Sequence, residues 1–265
     1  MLIDLDDTCV PDRAATEAAI ADLLAELGLR ADGAAVGNLL AAARARWQTG
    51  PFYQHCLYMG ISSWEGLWVE EPRSPEGFAE WIADYQRGVW RDAGATEPDA
   101  VSRRYQALRA ERCVAYPDVV FALKTLAPRH RLWLMTNGES RLQRRKATLA
   151  GLTQWFQEVF VSAEIGAAKP ADAFFAAVES ALDRDGEVVR LVLGDSVDKD
   201  IRPAQVRGWP AILVQRNEAV CPAGGVPLVR SLADLPSSML LGNDPLIPDL
   251  AGVVTPSAGA PRAAP

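Results

Sequence analysis

The sequence predicts an α/β fold in which a parallel sheet is interrupted by an all-helical insertion. Three observations support this prediction. A short apolar run opens the chain, a block with helical periodicity follows to about residue 112, and short apolar runs then alternate with helical stretches to about residue 216. Alternation of strands with helices is typical of a parallel sheet covered by helices on both faces.

The opening run, residues 2–6, has the pattern of a short buried strand. Beyond it, apolar residues recur at helical spacing, as Ile20, Leu23 and Leu27 do on one predicted helix. Predicted helices in this block cover residues 15–27, 34–47, 78–90 and 101–108. Since no clear strand pattern interrupts them, residues 13–112 are predicted to form a helical domain inserted after the first strand.

The rest of the sheet is predicted from residue 113 onward. Strand candidates lie at residues 132–135, 159–161, 189–193 and 211–214, and helices at residues 140–150 and 171–182. Together with residues 1–12, the segment 113–240 is therefore expected to form the core domain. The stretch 243–265 is rich in Pro, Ala and Gly, a composition that favours a disordered tail.

Composition and charge narrow the classes of partner. Of the 265 residues, 49% are hydrophobic and 23% are charged, as in an ordinary globular protein with a substantial core. The net charge of -7 would repel a nucleic acid polymer, although a single nucleotide is not excluded. Neither a signal peptide nor a membrane span is expected, because the start lacks a basic segment and no apolar run reaches about 18 residues. The expected location is cytoplasmic, and the oligomeric state stays open.

The four cysteines do not follow a metal-binding pattern. They are Cys9, Cys56, Cys113 and Cys221. They include no Cys-x-x-Cys pair, and neither histidine lies at zinc-ligand spacing from them. Scattered thiols fit a reducing compartment better than a disulfide framework.

Polar residues follow the predicted strands at the points where the strands end. These residues are Asp4, Asp6, Thr136, Asn137, Asp195 and Asp200, and Lys169 precedes the predicted helix 171–182. In an open parallel sheet, ligands bind outside the carboxyl ends of the strands. The strand ends are therefore predicted to form the functional site.

The carboxylates of Asp4, Asp6 and Asp195 are expected to converge at one edge of the sheet. Converging carboxylates repel unless a cation neutralises them. Mg²⁺ suits such a site because it takes carboxylate, water and substrate-phosphate oxygens. Lys169 adds a positive charge, Thr136 a hydroxyl, and the following turn main-chain N–H groups, and all of these bind phosphate. The sequence therefore predicts a phosphoryl-transfer site.

A carboxylate is the predicted nucleophile, because the sequence has only two histidines and no Ser–His pairing signal. A carboxylate can attack phosphorus and form an acyl phosphate. Asp4 is the best candidate because it lies at the tip of the strand. Asp6 projects to the same side if the extended geometry persists. It could then protonate the leaving oxygen and activate water.

These residues resemble the motifs of the haloacid dehalogenase superfamily, in its phosphatase branch. The motifs are similar, in order, to Asp4-x-Asp6-x-Thr8, Thr136, Lys169, and Asp195 with Asp200. Each motif alone is common by chance, but four in order at strand ends or a helix start form a specific pattern over residues 1–216. The stretch from Thr136 to Pro170 is similar to the branch of small sugar-phosphate and nucleotide phosphatases, such as N-acylneuraminate-9-phosphatase.

The resemblance implies a Rossmann-like core with a helical cap inserted after the first strand. It implies Asp4 as the nucleophile and Asp6 as the acid/base. For Mg²⁺, the implied ligands are Asp4, the main-chain oxygen of Asp6, and Asp195. For the phosphoryl group, they are Thr136, Asn137 and Lys169. Asp200 would orient Lys169 or a water molecule. The implied substrate is a small phosphate monoester of unspecified identity.

Three other functions remain as alternatives. A 2-haloacid dehalogenase would use an aspartate nucleophile without Mg²⁺, and that branch generally lacks an Asp at the position of Asp6. A phosphomutase keeps Asp6 and is not excluded by sequence. A non-catalytic phospholigand-binding protein is disfavoured by the intact site residues, which are Asp4, Asp6, Lys169 and Asp195.

Two further groups could contact substrate, but a structural role is preferred for each. The aromatic residues around His55, which are Phe52, Tyr53, Tyr58, Trp64 and Trp68, more often form the core of a helical domain. Arg141, Arg144 and Arg145 more often form a solvated helix face.

Overall fold

The fold is organised around a sheet whose strands all run parallel. The computed structural model describes residues 1–72, 75–216 and 226–235. In these residues the strands are β1 (Leu2–Asp4), β2 (Trp133–Thr136), β3 (Glu158–Val161), β4 (Val192–Gly194), β5 (Ala211–Val214) and β6 (Leu228–Val229). Their order across the sheet is β3-β2-β1-β4-β5-β6. The chain winds from β1 to one edge and resumes at β4 beside β1, which creates a topological switch point between β1 and β4.

The helices that follow β1 form a unit that we call the helical segment, residues 12–111. They are α1 (Asp12–Glu26), α2 (Gly33–Gln48), α3 (Tyr53–Met59), α4 (Ser63–Gly66), α5 (Phe78–Asp92) and α6 (Pro98–Glu111). Their apolar faces meet in one cluster around Trp47, Trp68 and Tyr105. Leu142, from a later helix, belongs to the same cluster, so the segment packs against the part of the chain that carries the sheet.

The remaining helices cover the sheet. They are α7 (Pro117–Leu126), α8 (Ser140–Leu149), α9 (Ser162–Ile165), α10 (Asp172–Arg184) and α11 (Arg202–Val206), and a π-helical turn at Val197–Ile201 precedes α11. One face of the sheet, including Ile3 and Leu134, packs with α7 and α8. The other face, including Leu2 and Met135, packs with α10 and α11. Alternate side chains of a strand point to opposite faces. Since both faces are buried, the strands are mainly apolar, and polar residues occur at their ends, such as Asp4, Thr136 and Glu158.

Local sequence determines where several helices begin. The side chain of Asp32 accepts a hydrogen bond from a main-chain N–H in the first turn of α2. Ser62 and Glu65 form a capping box at α4, in which each side chain binds the main-chain N–H of the other residue. The first residue of both α6 and α7 is proline, which suits this position because its N–H would have no helical partner. The capping box also fixes Glu65, which lies at the candidate site.

The α/β fold predicted from sequence is confirmed, with local differences in its elements. β1 ends at Asp4 rather than at residue 6. β4 begins at Val192 rather than at residue 189, and Arg190, inside the predicted strand, is exposed. β6 was not predicted because it has only two residues. Helix α7 was also not predicted. The division into a core at residues 1–12 and 113–240 and a helical domain at 13–112 stays a prediction, and the stretch 243–265 lies outside the described residues.

Two other sequence expectations concern thiols and membranes. Cys9, Cys56 and Cys113 are buried and free, and Cys221 lies outside the described part of the chain. Among the helices the structure describes, none combines the length and the hydropathy needed to cross a bilayer. The cytoplasmic location stays a prediction.

Candidate active site

The residues predicted for the site line one cavity at the carboxyl ends of β1, β2 and β4. The cavity has a volume of about 210 Å³, and its lining includes Asp4, Asp6, Thr136, Asn137, Lys169, Asp195 and Asp200. The helical segment contributes Gly60, Ser62, Trp64 and Glu65 to the same lining. The cavity lies at the switch point between β1 and β4, where open α/β sheets bind ligands.

Lys169 joins two carboxylates at the bottom of the cavity. Its Nζ donates to Asp4 Oδ1 at 2.6 Å and to Asp200 Oδ1 at 2.7 Å, and the residue is only 4% exposed. Burial disfavours the charged form, but the neighbouring Asp200 and Asp4 hold the pKa of Lys169 above its usual value. Thr8 Oγ1 donates to the second oxygen of Asp4 at 2.9 Å. Both carboxylate oxygens of Asp4 are therefore held in fixed positions.

Asp200 is held from two sides. Its second oxygen accepts a hydrogen bond from the main-chain N–H of Ser196 at 3.1 Å. A Cβ atom at Gly194 would lie 2.5 Å from the Asp200 Cγ, so a side chain at that position would displace the carboxylate. These contacts fit the orienting role that the sequence resemblance implies for Asp200, and that role stays a prediction.

Three carboxylates form a group with the chemistry of a cation site. Oxygen atoms of Asp4, Asp195 and Asp200 all lie within 4.8 Å of one another. Burial, followed by repulsion from Asp4 and Asp200, raises the pKa of Asp195 to about 8. Burial also raises the pKa of Asp4. Since one ammonium faces three carboxylates, an oxygen-preferring divalent cation such as Mg²⁺ fits this group.

The repulsion among these three carboxylates predicts how the stability of the metal-free protein depends on pH. A carboxyl whose pKa is higher in the folded than in the unfolded chain binds more protons when folded, so stability falls as pH rises between the two pKa values. For Asp195 these values are about 8 and the usual 3.8. In the presence of EDTA, we expect the melting temperature to fall by several degrees as the pH rises from about 5.5 to about 8.

The control for this prediction is Asp195→Asn, which cannot titrate and is expected to flatten the dependence. Added Mg²⁺ is expected to have the same flattening effect on the wild type, because a bound cation replaces the proton. A melting temperature that rises with pH in EDTA would contradict the assignment of Asp195 as a carboxyl under repulsion.

Asp6 faces a different set of partners. β1 ends at Asp4 and Asp7 has a φ of 58°, so the extended geometry does not continue through this loop. Both carboxylate oxygens of Asp6 lie 3.0 Å from the Nζ of Lys146, and one lies 3.2 Å from the Nε2 of Gln143. Burial and the nearby Asp12 raise the pKa of Asp6 well above its usual value, although Lys146 opposes this. The predicted metal contact of Asp6 involves its main-chain oxygen and stays a prediction.

Sequence reasoning missed Gln143 and Lys146. Both lie on the buried face of α8 with Leu142 and Ala147, and Lys146 is fully buried. The available signal was their spacing of three residues, which places two polar side chains on the apolar face of the helix. By contrast, Arg141 and Arg144 are exposed, as predicted for a solvated helix face, and Arg144 forms an ion pair with Glu164. Arg145 is half-buried.

The residues that follow β2, from Thr136 to Gly138, are hydrogen-bonded to neighbouring parts of the protein. The hydroxyl of Thr136 donates to the Gln143 side-chain oxygen at 3.1 Å. The Asn137 side chain binds the main chain of Lys169 at both its N–H and its C=O, at 2.8 and 2.9 Å. The N–H of Gly138, predicted to be available for phosphate, instead donates to Ser162 Oγ at 2.9 Å. The bonds of Asn137 use both polar atoms of its side chain to hold the main chain of Lys169.

The aromatic residues of the helical segment divide between core and cavity. Trp68 is buried in the apolar cluster of that segment, and His55 is half-buried with its ring 5.5 Å from Phe78. Trp64 lines the cavity and donates through Nε1 to Asp12 Oδ2 at 3.1 Å. The preferred core role therefore fits Trp68 better than Trp64.

The fold and the four motifs define a class of hydrolase. A family model described as haloacid dehalogenase-like hydrolase matches residues 1–206. The chain belongs to this family.

Comparison with known proteins identifies particular relatives. The chain is 33% identical over 225 residues to phosphoserine phosphatase of Thermus thermophilus, which covers 82% of this chain and 88% of the relative. It is 30% identical to pyrimidine 5'-nucleotidase YjjG of Escherichia coli, over 58% of this chain and 75% of the relative. It is 26% identical to N-acylneuraminate-9-phosphatase of Homo sapiens, over 59% of this chain and 68% of the relative. These matches confirm the resemblance seen in the motifs.

Solved structures share the fold. The putative HAD-hydrolase YfnB from Bacillus subtilis, bound to magnesium, superposes with a TM-score of 0.58 at 21% identity, over 88% of this chain and 95% of that one. A 2-haloacid dehalogenase from Pseudomonas syringae superposes with a TM-score of 0.56 at 22% identity, over 91% and 97%. At such identities these similarities bear on the fold alone.

Proposed function

We propose that the protein is a Mg²⁺-dependent phosphatase that hydrolyses a small phosphate monoester through an aspartyl-phosphate intermediate. The observation that carries the proposal is the Lys169 ammonium, bonded to both Asp4 and Asp200 beside the carboxylate of Asp195. This arrangement combines a nucleophile, a fixed cation and oxygen ligands for a metal. Phosphoryl transfer requires these components because its catalysis depends on positioning and charge neutralisation.

The proposed mechanism assigns a step to each residue. Asp4 attacks phosphorus while Lys169 and Thr136 bind the oxygens of the transferring group. Asp6 protonates the leaving oxygen, and burial together with the nearby Asp12 raises the pKa of Asp6, which favours the protonated form that this step uses. Asp6 next removes a proton from the water that hydrolyses the aspartyl phosphate.

Mg²⁺ has a supporting place in this mechanism. Asp4, the main-chain oxygen of Asp6, and Asp195 would hold it, and when bound it would supply positive charge to the phosphoryl oxygens. The carboxylates remain mutually repelling without it, which supports a requirement for the metal.

The helical segment is proposed to be a cap, and residues 13–112 a domain that covers the core at residues 1–12 and 113–240. Gly60, Ser62, Trp64 and Glu65 from this segment line the same cavity as the nucleophile. A cap of this kind excludes bulk water and selects the leaving group.

The size of the cavity favours a small leaving group. Its volume of about 210 Å³ is below the ~300–1,000 Å³ typical of pockets for drug-sized ligands. The relative with 33% identity over most of both chains is a phosphoserine phosphatase. We therefore propose that a compact ester of the size of phosphoserine is preferred over a nucleotide.

The alternative of a 2-haloacid dehalogenase shares the fold. That reaction needs neither Mg²⁺ nor a second aspartate beside the nucleophile. Here Asp6 is held by Lys146 and Gln143 at the same cavity, and Asp195 and Asp200 accompany Asp4. These features favour the phosphatase.

The test is phosphate release from a panel of monoesters, with Mg²⁺ or with EDTA. The panel contains O-phosphoserine, hexose phosphates, N-acylneuraminate 9-phosphate and nucleoside 5'-monophosphates, with 2-chloropropionate added to test for chloride release. We expect Mg²⁺-dependent release, with compact esters having a higher kcat/KM than nucleotides. Absence of phosphate release from every ester by folded protein with Mg²⁺ would refute the proposal, and chloride release in EDTA would favour the dehalogenase.

A further inference from the structure

A buried polar network connects Asp6 to the helical segment. We propose that Lys146, with Gln143, forms a bracket that sets the position of the Asp6 carboxylate and couples it to the seating of the helical segment. Lys146 is then a positioning residue, and the inference rests on the proposed function because it concerns the residue that serves there as acid and base.

The bracket holds Asp6 from one side. The Nζ of Lys146 lies 3.0 Å from each oxygen of the Asp6 carboxylate, and the Nε2 of Gln143 lies 3.2 Å from one of them. β1 ends at Asp4, so Asp6 lies outside the sheet, and its main chain forms an isolated β-bridge with Val10. The two side chains of α8 therefore supply the orientation that the strand does not.

The same two side chains bind two helices of the helical segment, α1 and α4, and α6 joins them through Asp12. Lys146 Nζ lies 2.8 Å from Asp12 Oδ1 at the start of α1, and Arg109 of α6 binds the same oxygen at 2.7 Å. Gln143 Nε2 donates to Glu65 Oε1 in α4 at 2.6 Å. A movement of these helices relative to α8 would have to break or stretch these bonds.

The network is closely packed and contains one more carboxylate than cations. Three carboxylates, those of Asp6, Asp12 and Glu65, surround two cations, Lys146 and Arg109. Asp12 and Arg109 are 5% and 2% exposed, so water screens little of this interaction. A Cβ atom at Gly138 would lie 2.3 Å from Gln143 Nε2 and 2.4 Å from Glu65 Oε1, so the glycine leaves room for the bracket.

The inference predicts a dependence on the leaving group. An alkyl ester needs a proton on its leaving oxygen, whereas nitrophenolate departs without one. Loss of the correct Asp6 position should therefore reduce kcat/KM for the alkyl ester and spare that for p-nitrophenyl phosphate. A side chain that only stabilises the fold would affect both esters alike.

The test compares wild type with Lys146→Met on O-phosphoserine, or the best alkyl ester of the panel, and on p-nitrophenyl phosphate. We expect kcat/KM to fall at least about tenfold on the alkyl ester, as part of the ~10²–10⁴-fold that acid–base catalysis contributes, and less than about threefold on the aryl ester. In an Asp6→Asn background, Lys146→Met should produce no further selective loss, because contacting residues act non-additively. The matched control is Arg144→Met, which removes an exposed ion pair from the same helix.

A folding defect is addressed by a second pair of variants. Lys146→Met leaves three carboxylates with a single cation, Arg109, and circular dichroism would reveal unfolding. The double variant Asp12→Asn/Lys146→Met loses one carboxylate and one cation, so its network keeps the net charge of the wild type. Relative to Asp12→Asn, the same selective loss on the alkyl ester is expected.

The outcomes separate this inference from the proposed function. An equal loss on both esters, no loss, or full additivity with Asp6→Asn would overturn the positioning role of Lys146 while leaving the phosphatase intact. A wild type that is inactive on both esters would overturn the proposed function and this inference together.

Discussion

Replacing Asp4 with asparagine is expected to reduce phosphate release on the order of 10⁴-fold or more. The substitution keeps the shape of the side chain, and it retains an oxygen that Lys169 or Thr8 can bind. An amide cannot form the aspartyl phosphate, because it is not a competent nucleophile toward phosphorus. The measurement is phosphate release with Mg²⁺ present, together with mass spectrometry of acid-quenched protein to detect a phosphoryl group on Asp4.

The control is Asp183→Asn, which makes the same chemical change at an exposed position of α10. It should leave release unchanged within about twofold, since substitutions away from a site have small effects. If Asp4→Asn keeps most of the activity while remaining folded, then Asp4 is not the nucleophile. If a phosphoryl group is found on another residue, that residue replaces Asp4 in the mechanism.

The position of the proposed nucleophile, Asp4, could be predicted from sequence because of how parallel sheets are built. Strands such as β5 are buried on both faces, so they stand out as continuous apolar runs, and Ala211–Val214 was predicted with the bounds observed. Once the strands are placed, their carboxyl ends indicate where Asp4 and Asp195 meet. Two-residue β6 gave no such signal, since a run that short is common in any segment.

The second group of site residues could not be predicted in the same way. Lys146 contacts Asp6, which lies 140 positions away in sequence, and Gln143 contacts Glu65, which lies 78 positions away. No periodicity within α8 shows which element will pack on its buried face. The spacing of Gln143 and Lys146 indicates a shared face, but only the packing of the helical segment on α8 identifies their partners.

Replacing Lys169 with methionine is expected to reduce both activity and stability. The side chain keeps its length but loses the charge that we propose faces the phosphoryl group, so kcat/KM should fall on the order of 10²–10³-fold. Asp4 and Asp200 also lose the ammonium that bonds both of them. Removing one partner of a buried ion pair costs roughly 3–5 kcal/mol, because the remaining charge is left buried and unpaired. The measurements are steady-state kinetics and chemical denaturation in EDTA.

Mg²⁺ should partly offset the loss of stability in Lys169→Met if that loss comes from carboxylate repulsion. A packing defect at Lys169 would not respond to the metal. With Lys169 absent, a cation bound by the carboxylates relieves more repulsion, so Mg²⁺ should raise the melting temperature of Lys169→Met more than that of the wild type. Lys124→Met, at an exposed position of α7, is the matched control and should respond to Mg²⁺ as the wild type does. An equal Mg²⁺ response in Lys169→Met and wild type would contradict a shared electrostatic site. A larger response would mean that Lys169 and the metal neutralise the same carboxylates, as phosphoryl transfer at Asp4 requires.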